Sequence, residues 1–547
     1  MSNKLESSLP GMQEIKKALD AAAKAEFGVD GKTELSVPDE KFGDLATGIA
    51  MQVGKKTGKN PREVAILLAG KLHNLEIVEK VEIADPGFIN IRLNDEYLLD
   101  SSGRATDLPK PLAGQEILVE FGDPNPFKEL HIGHLYSYIV GDSISRLLEA
   151  HGASVSRLSY HGDVGLQVAQ AVYGLLELGE GSNLGGSYAY GAEKYASMPT
   201  AKDRIEAINK AIYTGDDPEI ESLHEDGVKL SFEEFDKILN KLSIKTDRRY
   251  LESQTWMIGA DMVKRNIGRI FKRSQGAIIF EGEKKGLHTR VFLTSKGIPT
   301  YETKDLGLVK LKARDYPNAN RSIIVTAHEQ AEYFKVMLAA LAEIEPGLAD
   351  KTTHIYHGFV SLASGKMSSR TGEVYAASDL LNKVRVETAK QFPSSHSADE
   401  TYIGAVKYAL LKHRIGADIV FDVKESVSLQ GNSGPYLQYA HARASSILAK
   451  AESEHAAKDG KLEPAERSLA RKISEYPGVV SKATEELLPS HITNYLHELA
   501  QIFNSFYETS RIIGDERESV RMRLVRNYAD VLKSGLKLLN ISAPDRV

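Results

Sequence analysis

Two histidines one helical turn apart, His131 and His134, are the strongest chemical signal in this 547-residue chain. They stand in the stretch Pro124-Asn125-Pro126-Phe127-Lys128-Glu129-Leu130-His131-Ile132-Gly133-His134. An apolar run, Ile117 to Phe121, precedes it, and Leu135, Ile139, Ile144, Leu147 and Leu148 come after it at helical spacing. This order predicts a strand, a proline-broken loop and a helix. Such a junction offers unpaired backbone N–H groups and the positive end of a helix dipole to an anion, and two imidazoles add donors. The chemistry this suits is the binding of a triphosphate. A second loop, Ala363-Ser364-Gly365-Lys366-Met367-Ser368-Ser369-Arg370-Thr371-Gly372, comes after the apolar run His354 to Leu362. Its small residues allow movement while Lys366 and Arg370 carry charge, as a clamp closing on a pyrophosphate leaving group requires.

Positioning two loops so far apart in sequence takes a large scaffold, and the chain is long enough for several domains. A hydrophobic content of 42% with 26% charged residues is that of a globular protein, and no apolar run reaches membrane-spanning length. The N-terminus lacks a signal-peptide profile, so a cytosolic protein is expected. With no cysteine, disulfides, thiolate zinc sites and cysteine nucleophiles are excluded. The net charge of −6 gives no global signal for nucleic acid, leaving local basic stretches, Lys55 to Lys59 and Arg521 to Arg526, as candidate phosphate-facing patches.

The linker Leu108-Pro109-Lys110-Pro111-Leu112-Ala113-Gly114 marks the end of a mixed helix-and-strand region, 1–107, and the start of a second domain. Strand-like runs at Ile117 to Phe121, Val155 to Ser159, Ser322 to Thr326 and His354 to Val360 then alternate with helical ones. Alternation of this kind predicts a doubly wound parallel α/β sheet over 108–395. A charged, helical stretch at about 175–275 reads as an insertion packed on the sheet rather than part of it. Beyond about 395 no strands are expected, and the amphipathic patterns of Tyr436 to Lys450, Ile492 to Arg511 and Val520 to Leu539 predict a helical bundle over 396–547. The fold class is therefore multidomain α/β: a Rossmann-like centre, an N-terminal α+β domain and a C-terminal helical bundle.

The two loops resemble the HIGH and KMSKS signatures of class I aminoacyl-tRNA synthetases, in the right order. Within that class the chain resembles the arginyl-tRNA synthetases along nearly its full length. The resemblance rests on Phe42-Gly43-Asp44-Leu45-Ala46-Thr47 and Gly87-Phe88-Ile89-Asn90 near the start. It rests further on Gly162-Asp163-Val164-Gly165-Leu166-Gln167, Tyr301-Glu302-Thr303-Lys304-Asp305-Leu306, and the run from Gly431 to Arg443.

The resemblance implies ligation of L-arginine to tRNA(Arg) through an arginyl-adenylate, with ATP as substrate, Mg²⁺ accompanying it, and tRNA required for the activation step. No covalent enzyme intermediate is needed, so positioning and charge stabilisation must supply catalysis. His131, His134, Lys366 and Lys128 are the expected catalytic residues. ATP is expected at His131, Gly133, His134, Lys366, Met367, Ser368 and Ser369, with Gly133 letting the adenine lie against the backbone. Selecting arginine requires acceptors for a planar guanidinium. Tyr301 and Asp305, four apart and hence on one helical face, are the leading pair, and Glu120, Asn125, Gln330 and His131 complete the pocket by resemblance. Without the resemblance, the preferred reading is Asp305 as a surface or capping acid, Gln330 as a solvated helix residue and Tyr301 as core. The family's usual serine pair before Pro-Asn is here Gly122-Asp123, so Asp123 is expected to hold the α-ammonium. Its usual His-Phe is Tyr333-Phe334, and Tyr136 and Tyr138 stand where arginine and a small residue are frequent. Tyr436, Tyr439 and Arg443 are expected at the anticodon. No protein metal site, no zinc and no membrane partner are expected, and the chain is expected to act as a monomer.

Overall fold

The computed structural model describes residues 10–179, 183–363, 375–393, 397–450 and 461–546. At the N-terminal end, helices Pro10–Phe27, Ile49–Thr57 and Pro61–Gly70 accompany strands β1 (Leu45–Thr47), β2 (Val78–Ala84) and β3 (Phe88–Leu93). The strands form an antiparallel sheet in the order β1-β3-β2. Alternate residues Ile89, Ile91 and Leu93 of β3 are buried, as the two-residue period of a half-buried strand requires. Arg467, from helix Pro464–Ser474, ties this region to the C-terminal helices. Its guanidinium donates to Asp44 at 2.5 Å and to the Leu93 carbonyl at 3.0 Å, and it pairs with Asp95.

The centre is a five-stranded sheet. Its first strands are β4 (Glu116–Phe121), β5 (Ser154–His161) and β6 (Arg248–Leu251). A separate three-stranded antiparallel sheet comes next, β7 (Lys272–Ser274), β8 (Ala277–Phe280) and β9 (Arg290–Leu293). Strands β10 (Arg321–Ala327) and β11 (Thr352–His357) complete the central sheet in the order β11-β10-β4-β5-β6, every pair parallel. Strand order reverses between β4 and β10, and it is at the carboxyl ends beside such a switch that doubly wound sheets bind ligands. Residues of β4 alternate between faces. Ile117, Val119 and Phe121 pack with helix Ile132–Ala150, whereas Leu118 meets Leu308 and Leu311 of helix Tyr301–Asp315.

Two expectations are corrected. Arg248–Leu251, inside the stretch read as lying off the sheet, is its edge strand, paired with β5. Its hydrophobic signal is weak because two of its four residues are arginines, one of them, Arg249, paired with Asp236. Charged side chains are a common device for blunting an edge strand. Helices Leu166–Leu178, Leu184–Ser197, Pro199–Thr214 and Pro218–Lys241 make up the remaining insertion before it. A strand also exists beyond residue 395: β13 (Ile419–Phe421) pairs in parallel with β12 (Val360–Leu362). At three residues it is too short to announce itself by period. Helices Gly434–Leu448, Pro464–Ser474, Tyr476–Glu486, Ser490–Thr509 and Glu518–Leu538 build the C-terminal bundle.

Helix Tyr301–Asp315 is set close against helix Glu252–Arg265 by two glycines. A Cβ on Gly259 would lie 1.8 Å from the Thr303 carbonyl oxygen, and one on Gly307 would lie 2.1 Å from that of Thr255. Backbone cannot yield there as a side chain could. Gly307→Ala should therefore destabilise the protein by about 1–3 kcal/mol through overpacking. A lowered urea midpoint, monitored by circular dichroism, is the expected result; an unchanged midpoint would mean that the two helices have slack.

Candidate active site

His131 is the N-cap of helix Ile132–Ala150. Its Nδ1 accepts from the N–H groups of Gly133 (3.1 Å) and His134 (3.3 Å), and the His131 N–H donates back to His134 Nδ1 at 3.4 Å. The two rings stack with centroids 3.5 Å apart. Because each Nδ1 is an acceptor, the hydrogen-bond pattern assigns the proton to Nε2 in both rings. Burial pushes His131 down to about 4 and His134 well below the usual histidine range. The pair are thus neutral hydrogen-bond donors at a helix N-terminus, suited to phosphate oxygens without adding formal charge.

The described residues on either side of the second loop are fixed by backbone hydrogen bonds. The Ala363 N–H donates to the Phe421 carbonyl at 2.9 Å, and on the far side Ile132 N–H reaches the Tyr375 carbonyl and Ala377 N–H the Leu130 carbonyl. Residues 375–377 therefore run antiparallel to residues 130–132. Lys366, Met367, Ser368 and Ser369 lie outside the described residues.

The chain leaves β4 through Gly122, whose φ of +94° suits glycine and whose missing Cβ would otherwise meet the buried Tyr138 ring at 2.3 Å. Asp123 and Phe127 also adopt positive φ. The loop holds these conformations through cross-links: Asp123 Oδ1 accepts from Tyr160 N–H (2.8 Å) and Asn125 Oδ1 from Gly162 N–H (2.9 Å). The Phe127 N–H donates to Ser231 Oγ (2.8 Å), so the insertion helix Pro218–Lys241 fixes the signature loop. Lys128 donates to Gln167 Oε1 at 2.6 Å above the Tyr188 ring, and burial lowers its pKa. A cavity of about 270 Å³ opens here, its wall including Asn125, Lys128, Gln167, Glu252, Tyr301 and Lys304. Lys304 and Glu252 form a buried pair at 2.5 Å.

Helix Tyr301–Asp315 carries four buried charges. Glu302 pairs with Arg290 (3.0 Å), Lys304 with Glu252, and Lys312 with Glu120 (2.8 Å). Asp305 is the exception: it is 6% exposed, and its Oδ2 has no hydrogen-bond partner among the described residues. Burial and then the neighbouring Glu120 push its carboxyl well above the usual range. Asp123 is raised for the same two reasons. Glu120, Asp123 and Asp305 thus form one acidic cluster at the switch point.

The expected site residues do not all sit alike. Tyr301 is 61% exposed at the cavity lip, so it is not core, and Asp305 lies buried one turn further along the helix. Gln330 is exposed and ends a short turn, His328–Gln330, before the helix that starts at Ala331; its Oε1 accepts from Tyr333 Oη at 3.2 Å. Glu120 gives Oε2 to Lys312. Residue-by-residue reading missed Lys312 and Tyr333. Lys312 carried a signal, since it is seven residues, two helical turns, from Asp305, and Glu120 is a lone charge inside a buried strand that needs a partner.

In the C-terminal bundle Tyr436 accepts a hydrogen bond from Asn504 (2.8 Å), while the Arg443 guanidinium lies 5.1 Å from the Tyr439 ring and 5.7 Å from the Tyr507 ring. Both rings are exposed, giving a stacking platform that includes Tyr507, a residue not singled out for this role from sequence. The Arg521 to Arg526 stretch is not a free phosphate patch: Arg521 is buried against Glu466 and Glu463, and Arg523 pairs with Asp100.

The buried histidines make stability pH-dependent. His161, fully buried at the end of β5, bonds the Pro124 carbonyl (2.6 Å) and Ser159 Oγ (2.8 Å), and burial depresses it to about 4. The unfolded chain takes up the proton first on acidification, so this contribution is present above the unfolded pKa and is lost as pH falls toward 4. The stability advantage of the wild type over His161→Gln should shrink by about 2 kcal/mol between pH 7 and pH 5. Paired denaturant titrations at the two pH values test this; a constant gap would contradict it.

Comparison with known proteins agrees with this geometry along the whole chain. Residues 12–93 match the family model for the arginyl tRNA synthetase N terminal domain, residues 101–423 the catalytic domain of class I (R) tRNA synthetases, and residues 437–547 the DALR anticodon binding domain. An arginine–tRNA ligase from Fusobacterium nucleatum is 30% identical, with 92% of this chain and 93% of that protein covered. One from Porphyromonas gingivalis is 27% identical over 98% and 100%. The Thermus thermophilus arginyl-tRNA synthetase structure superposes with a TM-score of 0.81 at 25% identity, covering 98% of this chain and 100% of its own. The Plasmodium falciparum arginyl-tRNA synthetase shares the fold at the same TM-score and 21% identity, over 98% and 99%. With its catalytic-domain match spanning more than half its length, the chain belongs to the arginyl-tRNA synthetases, ATP-dependent ligases of class I.

Proposed function

We propose that the chain activates L-arginine with ATP and transfers the arginyl group to the 3' end of tRNA(Arg), with tRNA needed for the activation step. The observation that carries the arginine pocket is Asp305, a buried carboxylate without a partner on Oδ2, in a cluster with Glu120 and Asp123. A buried anion is costly unless paired, and a guanidinium offers two parallel donors to a carboxylate. Asp305 receives the guanidinium with Glu120 beside it, while Asp123 takes the α-ammonium. Asn125, Tyr301, Gln330 and His131 border the amino acid.

The arginine carboxylate oxygen attacks the α-phosphorus of ATP, the bond to the bridging oxygen breaks, and pyrophosphate leaves. Charge on the phosphates is met by the neutral His131 and His134 donors, by Lys128, and by Lys366 of the second loop, with Gly133, Met367, Ser368 and Ser369 against the nucleotide. Mg²⁺ travels on the triphosphate as part of the substrate. A ribose hydroxyl of the tRNA 3' end then attacks the acyl carbon and AMP departs. The domain spanning residues 1–107 and the Tyr436, Tyr439 and Arg443 face of the domain spanning residues 396–547 dock the tRNA, leaving residues 108–395 to the chemistry. The enzyme acts as a cytoplasmic monomer. No described helix is long and apolar enough to cross a membrane.

Two experiments test the reading. Asp305→Asn keeps shape and removes charge, and should cost about 2–4 kcal/mol in transition-state binding of arginine, read as kcat/KM in an arginylation assay. The same change removes a buried, uncompensated acid and should raise the melting temperature of the ligand-free protein. Unchanged kcat/KM would remove Asp305 from the pocket. Lys128→Ala and Lys366→Ala should each leave measurable tRNA-dependent ATP–pyrophosphate exchange, and the double variant should lose more than the product of the single losses, as two cations sharing one task require. Strictly multiplicative losses would separate their roles.

A further inference from the structure

Lys312 stands outside everything assigned above. Its ammonium donates to Glu120 Oε2 at 2.8 Å and to Ser322 Oγ at 3.2 Å, and both members of the ion pair are almost fully buried. Glu120 is the only charge in the buried part of β4, and it points to the face covered by helix Tyr301–Asp315, as Leu118 does two residues earlier. No described residue donates to its other oxygen, Oε1. The groups facing this centre come from every element around it. They are Glu120 from β4, Asp123 from the loop after it, Tyr160 from β5, Glu252 from its helix, Asp305 from the helix of Lys312 itself, and Tyr333 from the helix after β10. Glu252 is already neutralised by Lys304.

We infer that Lys312 is a positioning residue for arginine: a resident cation that holds Glu120 at the pocket and shares it with the incoming guanidinium. The inference rests on the arginine pocket proposed above. Three carboxylates, Glu120, Asp123 and Asp305, face one buried lysine, which leaves two uncompensated. L-arginine brings two cations, its guanidinium and its α-ammonium, so the bound cluster is neutral, while the arginine carboxylate remains for the phosphorus. Without Lys312 the empty pocket would hold three acids and no cation, and would retain an additional proton that arginine must displace. Lys312 thereby offsets part of the buried negative charge before substrate arrives and lowers the electrostatic reorganisation that binding demands.

The test uses Lys312→Met, which keeps length and removes charge, and Lys312→Arg, which keeps charge. For Lys312→Met the KM for arginine should rise about tenfold or more while that for ATP stays within about twofold. Calorimetric arginine titrations at pH 7.5 in two buffers of different ionisation heat should show about one more proton released per arginine than in the wild type. Lys312→Arg should keep the wild-type proton count and recover most of the affinity. An unchanged proton count in Lys312→Met, or equal rises in both KM values, would overturn the inference by reducing Lys312 to a structural role. If Lys312→Met does not fold, Lys312→Arg decides: a proton count differing from the wild type overturns it, and an unchanged one supports it. Failure of the underlying pocket is read separately, as an arginine KM unmoved by Asp305→Asn.

Discussion

Negative charge buried at the sheet's carboxyl edge is the constraint around which the catalytic region is built. Glu120 sits on a strand with both faces covered, where an unpaired carboxylate would cost several kcal/mol. Lys312 answers it from helix Tyr301–Asp315, and that helix can reach because Gly259 and Gly307 let it lie against helix Glu252–Arg265 at backbone contact. The same helix carries Asp305 to the cluster and leaves it incompletely partnered. Lys304 and Glu302 are satisfied by Glu252 and Arg290, so the surplus of acid is local to the pocket rather than general to the helix. A site that is short of cations when empty selects for a ligand that supplies them.

The helix N-terminus proposed to meet the nucleotide presents neutral donors. His131 and His134 are held as a reciprocal cap, each Nδ1 spent on a backbone N–H, and burial keeps both rings uncharged. Using neutral imidazoles avoids placing formal positive charge against the pocket that must attract arginine. Lys128, desolvated and tied to Gln167, is a cation three residues before His131. Residues 130–132 pair with 375–377, which follow the second loop in sequence.

The insertion and the C-terminal bundle are connected to the same centre through specific contacts. Ser231 of helix Pro218–Lys241 holds Phe127, which borders the cavity, and His224 of the same helix bonds the Asp163 carbonyl. Asn540, after the last bundle helix, donates to Asp142 within helix Ile132–Ala150 at 2.7 Å, and Ser143 of that helix donates to the Leu538 carbonyl. The helix that begins with the two histidines is thus braced along its length by the region expected to read the anticodon.

The sequence by itself determined the elements with strong local signals. The strand–loop–helix at His131, four of the five parallel strands and the long bundle helices are set by apolar period and by proline and glycine placement. It also drew attention to Asp305 and Asp123, which folding places in one buried acidic cluster. Tertiary structure alone decided what depends on distant partners. Arg248–Leu251 joins the sheet because β5 offers it an edge, although its arginines hide the strand. Gln330 lies exposed and Tyr301 sits at a lip because burial is set by neighbours rather than by residue type. Lys312 gains its partner only when folding places it against a glutamate 192 residues away. Local preferences act over a few residues and can be read in order along the chain, whereas the compensation of a buried charge is settled among whichever groups the packed elements bring together.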